Sequence, residues 1–224
     1  MKNSYAYHKK IRGLFLVVLT LLAFTQAEAQ VTFRPGIRAG VNMSHFTQGD
    51  YSYSNAYYYD ANGNYVPYVD DSEFTSKTGF YVGFYGALRL TKYYTLQPEF
   101  TYSNQGSNYR APLTGLQLGY NNNYYPRKLD VSYLSVALVN KFTFNDKFNV
   151  HLGPTIDFVV DRNYPVYNDV DLAFVLGAGY NFNSNFGIEA RVKKGIIPAI
   201  NDNSGGDHTN VVFSFGAIYT FNVK

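Results

Sequence analysis

Beyond residue 30 the apolar positions recur every second residue, and a helical spacing of three to four is hard to find. Eight runs carry this alternation: 33–46, 77–90, 94–105, 129–144, 148–160, 170–182, 186–195 and 209–222. In the fourth run Leu134, Val136, Leu138, Phe142 and Phe144 share one face, against Ser135, Ala137, Lys141 and Thr143. The fifth groups Val150, Leu152, Ile156, Phe158 and Val160 against His151, Thr155 and Asp157. In the seventh Phe186, Ile188, Ala190 and Val192 oppose Glu189, Arg191 and Lys193. Each run is predicted to be a strand. Each meets the roughly 9–11 residues that a tilted strand needs to cross a bilayer.

The connections sort into two kinds. Segments 47–76, 106–128, 161–169 and 196–208 are long, whereas 91–93, 145–147 and 183–185 are short turns that alternate with them. Barrels of the outer membrane have this asymmetry, with short periplasmic turns and longer extracellular loops. Face chemistry agrees. One face carries Phe, Leu, Val and Tyr, while the other mixes charges with glycine and small residues, a poor lining for an apolar ligand. Eight strands leave an interior that side chains can fill. The apolar face should therefore meet lipid and the polar face fill the lumen. The expected fold is all-β: an eight-stranded antiparallel up-and-down transmembrane β-barrel.

Composition adds an address. His8, Lys9, Lys10 and Arg12 precede an apolar run from Gly13 to Phe24, followed by Ala27-Glu28-Ala29. This is the pattern of a secretory signal peptide, so residues 1–29 are expected to be removed and 30–224 to form the barrel domain. The apolar run is too short for a membrane helix, which needs roughly 20 residues. The chain has no cysteine, which closes the lipoprotein route and removes disulfides and thiolate metal sites. Of 19 basic and 16 acidic residues, four and one lie in 1–29, so the remainder balances at 15 each. The basic pI of 8.8 thus belongs mostly to the leader, and a nucleic-acid partner loses its support. With 23 Tyr, 18 Phe and no Trp, the aromatic content suits strands with one greasy face.

Several stretches, in order, are similar to a known family. Gly36-Ile37-Arg38-Ala39-Gly40-Val41-Asn42, Leu96-Gln97-Pro98-Glu99-Phe100 to Gln105-Gly106, Tyr133-Leu134 and Leu152-Gly153-Pro154 are the first four. Leu176-Gly177-Ala178-Gly179-Tyr180 and Gly187-Ile188-Glu189-Ala190-Arg191 complete the series. Together they resemble the porin-family or PorT-like outer-membrane β-barrel proteins of Bacteroidota. The resemblance implies an eight-stranded barrel of the OmpA or OmpX type, located in the outer membrane of a Gram-negative cell. Two departures stand out. Phe221 is followed by Asn222-Val223-Lys224, which displaces the usual C-terminal aromatic, and no peptidoglycan-binding domain is added.

Candidate chemistry falls in three places. Parity puts Arg38, Arg89, Lys141, Arg191 and Lys193 in the lumen with Glu99, Asp157 and Glu189. They read either as a polar path or as compensated pairs that plug a narrow barrel, and the cost of unpaired buried charge favours the pairs. A short turn would set Glu189 opposite Gly179 and Arg191 opposite Gly177, leaving room for long side chains to cross the lumen. Loop one holds Tyr51, Tyr53, Tyr57, Tyr58, Tyr59, Tyr65 and Tyr68 with Asp50, Asp60, Asp70 and Asp71. Loop two adds Tyr109, Tyr120, Tyr124 and Tyr125. Tyrosine offers large, rigid contact area with a polar tip, so these loops are the candidate surface for an extracellular ligand or protein. The alternative is a solvent loop that extends the aromatic girdle. Asp60, Asn62, Asn64 and Asp71 have calcium-loop spacing, but Tyr65 stands where glycine is needed, so no metal is expected.

Third, Ser204, Asp207 and His208 share loop four and His45 tops the first strand. Shared occupancy of a loop is not catalytic geometry, and a polar hairpin tip explains these residues. The expected protein is a non-enzymatic monomer without a cofactor, in contact with outer-membrane lipid and lipopolysaccharide. Its role would be structural or in cell-surface binding, without an open pore. An accessory part of a secretion or gliding apparatus is the alternative, and a rim hydrolase or acyltransferase the third.

Overall fold

The computed structural model describes residues 31–47, 57–59, 62–67, 73–111, 125–166, 168–201 and 207–223. Eight long strands form the barrel: β1 (Thr32–Phe46), β4 (Glu73–Arg89), β5 (Tyr94–Ala111), β6 (Tyr125–Phe144), β7 (Phe148–Arg162), β8 (Val170–Asn181), β9 (Phe186–Gly195) and β12 (Asn210–Thr220). Two hairpins of very short strands stand in the long connections, β2 (Tyr57–Tyr59) with β3 (Tyr65–Pro67) and β10 (Ile200–Asn201) with β11 (Asp207–His208). Each long strand pairs antiparallel with its chain neighbour, and β1 closes the circle by pairing with both β12 and β4. The sheet has no free edge. That is the condition for strands to cross hydrocarbon, where no water could satisfy an unpaired N–H or C=O.

Local chemistry explains the turns. Asn145 and Asp146 both have positive φ, 52° and 57°, and the Lys147 amide donates to the Phe144 carbonyl at 3.2 Å. Two such centres make a hairpin turn whose twist matches the strands, and Asn and Asp tolerate that conformation best after glycine. In the last turn the Asn183 side-chain oxygen accepts from the amides of Asn185 (2.8 Å) and Phe186 (2.7 Å). The Thr91 hydroxyl does the same for Tyr93 and Tyr94 at 3.3 and 3.0 Å. These side chains replace backbone partners where the ladder stops.

The two faces differ as a membrane solvent requires. Outward Val41, Phe84, Val136, Phe174 and Phe215 are 45–66% exposed, while inward Gln97, Glu99, Asp157 and Glu189 are buried. A water-soluble barrel would show the reverse. Near the short turns the outer face is ringed by aromatics: Phe182 stacks on Phe186 at 5.6 Å, and Tyr219 meets Phe221 edge-on at 5.2 Å. The ladder reaches that ring, because the Phe221 amide donates to the Pro35 carbonyl at 2.8 Å. The aromatic three residues from the chain end therefore lies at the interface, as a girdle residue should.

At the other end the strands outrun the bilayer. β5 and β6 have 18 and 20 residues and pair as far as Ala111 and Tyr125. Their outward positions change from Phe100, Tyr102 and Leu134 to Asn104, Asn108, Lys128, Asp130 and Ser132. The pairing of β4 with β5 shifts between Ser76 and Tyr81, and that of β6 with β7 between Ser132 and Tyr133, close to this change of chemistry. Such irregularities bend and twist a ribbon. The expected loop boundaries are corrected accordingly. β5 runs to Ala111 and β6 starts at Tyr125, both inside the segment 106–128 read as loop two, so Tyr109 and Tyr125 lie on strands, and β4 begins at Glu73 inside the segment read as loop one. Polar alternation in these extensions lacks the apolar face by which the membrane strands were read.

Two outcomes are expected. Because the chain lacks cysteine, single substitutions Asn64→Cys and Ser184→Cys can be labelled with an impermeant maleimide. Asn64→Cys should react on intact cells and Ser184→Cys only after the outer membrane is opened; the reverse pattern would refute the orientation. Val136→Arg should destabilise the barrel by about 2 kcal/mol in urea titrations in lipid vesicles. Ala137→Ser, one residue along and facing inward, should be far milder.

Candidate functional site in the lumen

At mid-barrel four charged side chains meet. Arg38 on β1 reaches Glu99 on β5 at 2.8 Å and Glu189 on β9 at 2.5 Å. Arg191, two residues beyond Glu189, contacts Glu99 through both terminal nitrogens at 2.7 and 2.8 Å and Glu189 at 2.9 Å. Two guanidinium forks and two carboxylates close a neutral quartet in which every member has two opposite neighbours. Gln97 donates to Glu99 at 2.7 Å, and Tyr81 donates to Glu189 at 3.4 Å while its ring lies 4.8 Å from the Arg38 guanidinium carbon. Paired, bidentate and buried, these are the conditions under which charge can stand in a low-dielectric interior.

Glycine makes the quartet fit. Gly177 is the register partner of Arg191 and Gly179 that of Glu189. A Cβ on Gly177 would lie 2.4 Å from His151 Nε2 and 2.7 Å from the Arg191 side chain. Tyr81 lies across Gly40 and Gly216 in the same manner.

Toward the long connections the lumen turns polar and then apolar. Lys193 pairs with Asp157, which also accepts from Thr155 at 2.8 Å. Above this, Asn42 and Gln105 both donate to the Ser103 hydroxyl at 2.9 Å, and Asn210 donates to Gln105 at 2.5 Å. Outside the lumen, beside the β4 irregularity, Lys77 reaches outward Asp130 at 2.5 Å and Asn104 at 2.8 Å. A cavity of only about 60 Å³ remains between the polar layer and the quartet. The end is closed by a cluster of Phe46, Leu129, Val131, Tyr133 and Ala199, against which Phe74, Tyr164 and Val166 pack. Burial pushes the Tyr164 hydroxyl above its ordinary pKa, so the cap stays neutral.

The expected lumen set is thus partly divided. Arg38, Glu99, Glu189 and Arg191 form the quartet, and Lys193 with Asp157 forms a separate pair. Arg89 is corrected out of the network. It sits half-exposed at the short-turn rim, donating to the Lys92 carbonyl at 2.9 Å and facing Asp146 at 3.4 Å. Lys141 is beside His151, its register partner, and has no carboxylate partner among the described residues. The pairing expected in the lumen does not extend to Lys141, which lines an open cavity instead of the packed core. Tyr57, Tyr58 and Tyr59 form one strand of the loop-one hairpin, while Tyr51, Tyr53, Tyr68, Tyr120 and Tyr124 lie outside the described residues. So does Ser204. His208 is buried, with Nδ1 2.7 Å from the Thr47 carbonyl and its ring 4.7 Å from that of Phe74. The apolar cap was missed although a signal existed: Leu129, Val131 and Tyr133 share the parity of Ser135 and Ala137, which faces the lumen.

Glu189→Ala leaves Arg38 and Arg191 sharing one carboxylate. It should cost about 3–5 kcal/mol in vesicle unfolding. A double-mutant cycle with Arg38→Ala should show favourable coupling between the two; strict additivity would sink the quartet.

No curated protein matches the chain. Among solved structures it resembles OprG from Pseudomonas aeruginosa, with 14% identity over 86% of this chain and 98% of that one and a TM-score of 0.48. Neisserial surface protein A (11%, 84% and 97%, TM-score 0.47) and Ail of Yersinia pestis (14%, 84% and 98%, TM-score 0.43) are similar in the same way. The family model of the outer membrane protein beta-barrel domain matches residues 24–201, and the chain belongs to that family.

Proposed function

We propose that this protein is a closed platform in the outer membrane that presents a tyrosine-rich surface to the cell exterior. Residues 1–29 would be removed on export and the barrel would work as a monomer. The observation that carries the reading is the double closure of the lumen, by the charged quartet and by the apolar cap at the long-connection end. A barrel so filled has no path for solutes, so its useful surface is outside. There β5 and β6 continue as a ribbon beyond the lipid band and β2 and β3 form a hairpin, giving the loops a rigid base. Tyr65 in that hairpin is 62% exposed, a position from which an aromatic contact can be made.

A non-enzymatic role is supported by His208, whose buried ring against Phe74 leaves it badly placed as a general base at the rim. The second reading, an accessory component of a secretion or gliding apparatus, draws on the PorT-like stretches. It predicts that crosslinked partners from native membranes include machine components.

Purified protein in planar bilayers should show no steady porin-sized conductance. A large, stable single-channel current from the wild type would overturn the closed-platform reading.

A further inference from the structure

The short-turn end is built differently from the other. Below the quartet the lumen opens into a vestibule of about 880 Å³, within the range of small-molecule sites. Arg34, Arg89, Lys92, Lys141 and Lys147 line it, and Asp146 is the single carboxylate among its lining residues. Arg34 donates to the Phe221 carbonyl at 3.2 Å and the Asn222 side chain at 2.7 Å, and Arg89 to the Lys92 carbonyl. The acceptors on Arg34 are neutral and leave its charge uncancelled, whereas Arg89 also faces the Asp146 carboxylate at 3.4 Å, so the excess positive charge rests on Arg34, Lys92, Lys141 and Lys147. Lys141 stands nearest the quartet, and the quartet is already neutral, so nothing there answers its ammonium. Low-dielectric walls around a concave site of one sign focus the field and concentrate counter-ions.

We propose that this vestibule binds a small oxyanion carrying two or more negative charges, a phosphate compound or a polycarboxylate, entering from the periplasmic side. Lys141 would meet the anion at the closed end, and Arg34 with Lys92 would hold it at the mouth. The neutral donors Thr143, Gln97 and Asn145 line the same space and suit an oxyanion better than a halide. An acidic polypeptide is disfavoured, because the quartet stops the cavity and only a compact ligand reaches Lys141.

The test is calorimetric titration of the barrel in phosphatidylcholine nanodiscs with inorganic pyrophosphate and, separately, citrate. Saturable binding of at least one probe is expected, weakening steeply as salt rises. Lys141→Gln and Arg34→Gln should each raise Kd tenfold or more, whereas Lys128→Gln at the opposite end should leave it unchanged. Amide shifts of the 145–147 and 183–185 turns in the wild type locate the site even if Lys141→Gln folds poorly. If phosphatidylglycerol in the nanodisc competes with pyrophosphate, the natural source of the oxyanion is a lipid headgroup; if not, it is a soluble anion. No saturable binding of either probe would overturn the proposal. So would equal loss in Lys128→Gln, or binding of polyglutamate alone.

Discussion

A bilayer offers no water to an unpaired amide, and this single condition organises the molecule. The sheet must close on itself, so β1 has to find β12 on one side and β4 on the other. Once it closes with eight strands, the mid-barrel interior is just wide enough for side chains to fill. What faces inward is then decided by volume as much as by polarity. Glycines at 40 and 216 on the closing pair let Tyr81 lie across them, and Gly177 admits Arg191. Glycine, weak in strands on propensity grounds, is here what allows large inward groups to share a small cross-section.

The same narrowness dictates the electrostatics. Charges drawn from β1, β5 and β9 are forced within hydrogen-bond distance, and they are tolerated because they cancel as a set. The quartet is not independent contacts but one neutral unit, since Glu99 serves both arginines and Glu189 does likewise. Removing one member uncovers charge on two partners. Lys193 and Asp157 solve the same problem locally as a pair. Where the packing ends, the requirement ends too, and Lys141 and Arg89 can stand beside a cavity without an equal number of carboxylates.

Strand number, inward parity and the opposition of Arg191 to Gly177 were legible in the sequence, because period-2 alternation and short turns together determine register. What escaped were features for which alternation is ambiguous. Parity places Tyr133 inward and Leu134 on the lipid side, but both are apolar, so nothing in the alternation says that Tyr133 joins an apolar cap with Phe46 and Ala199 from distant parts of the chain. Ser107 and Asn108 are both polar, so the continuation of β5 past Gly106 is invisible without its partner strand. Parity says which face Arg89 occupies but not how far along the axis it sits. Its rim position follows only from the hydrogen bonds it makes to the turn.

The two ends of the lumen therefore follow opposite rules. Toward the loops, Asn42, Ser103, Gln105 and Asn210 bond one another and are then covered by Phe46, Leu129 and Tyr133. Toward the short turns, basic side chains line an open space. A barrel meant only to hold loops would need the first arrangement and gain nothing from the second. An unbalanced row of basic side chains repels itself, and it persists at a cost in stability unless something anionic relieves it. The asymmetry thus divides the lumen into a half packed and covered by apolar side chains and a half in which basic side chains line an open space.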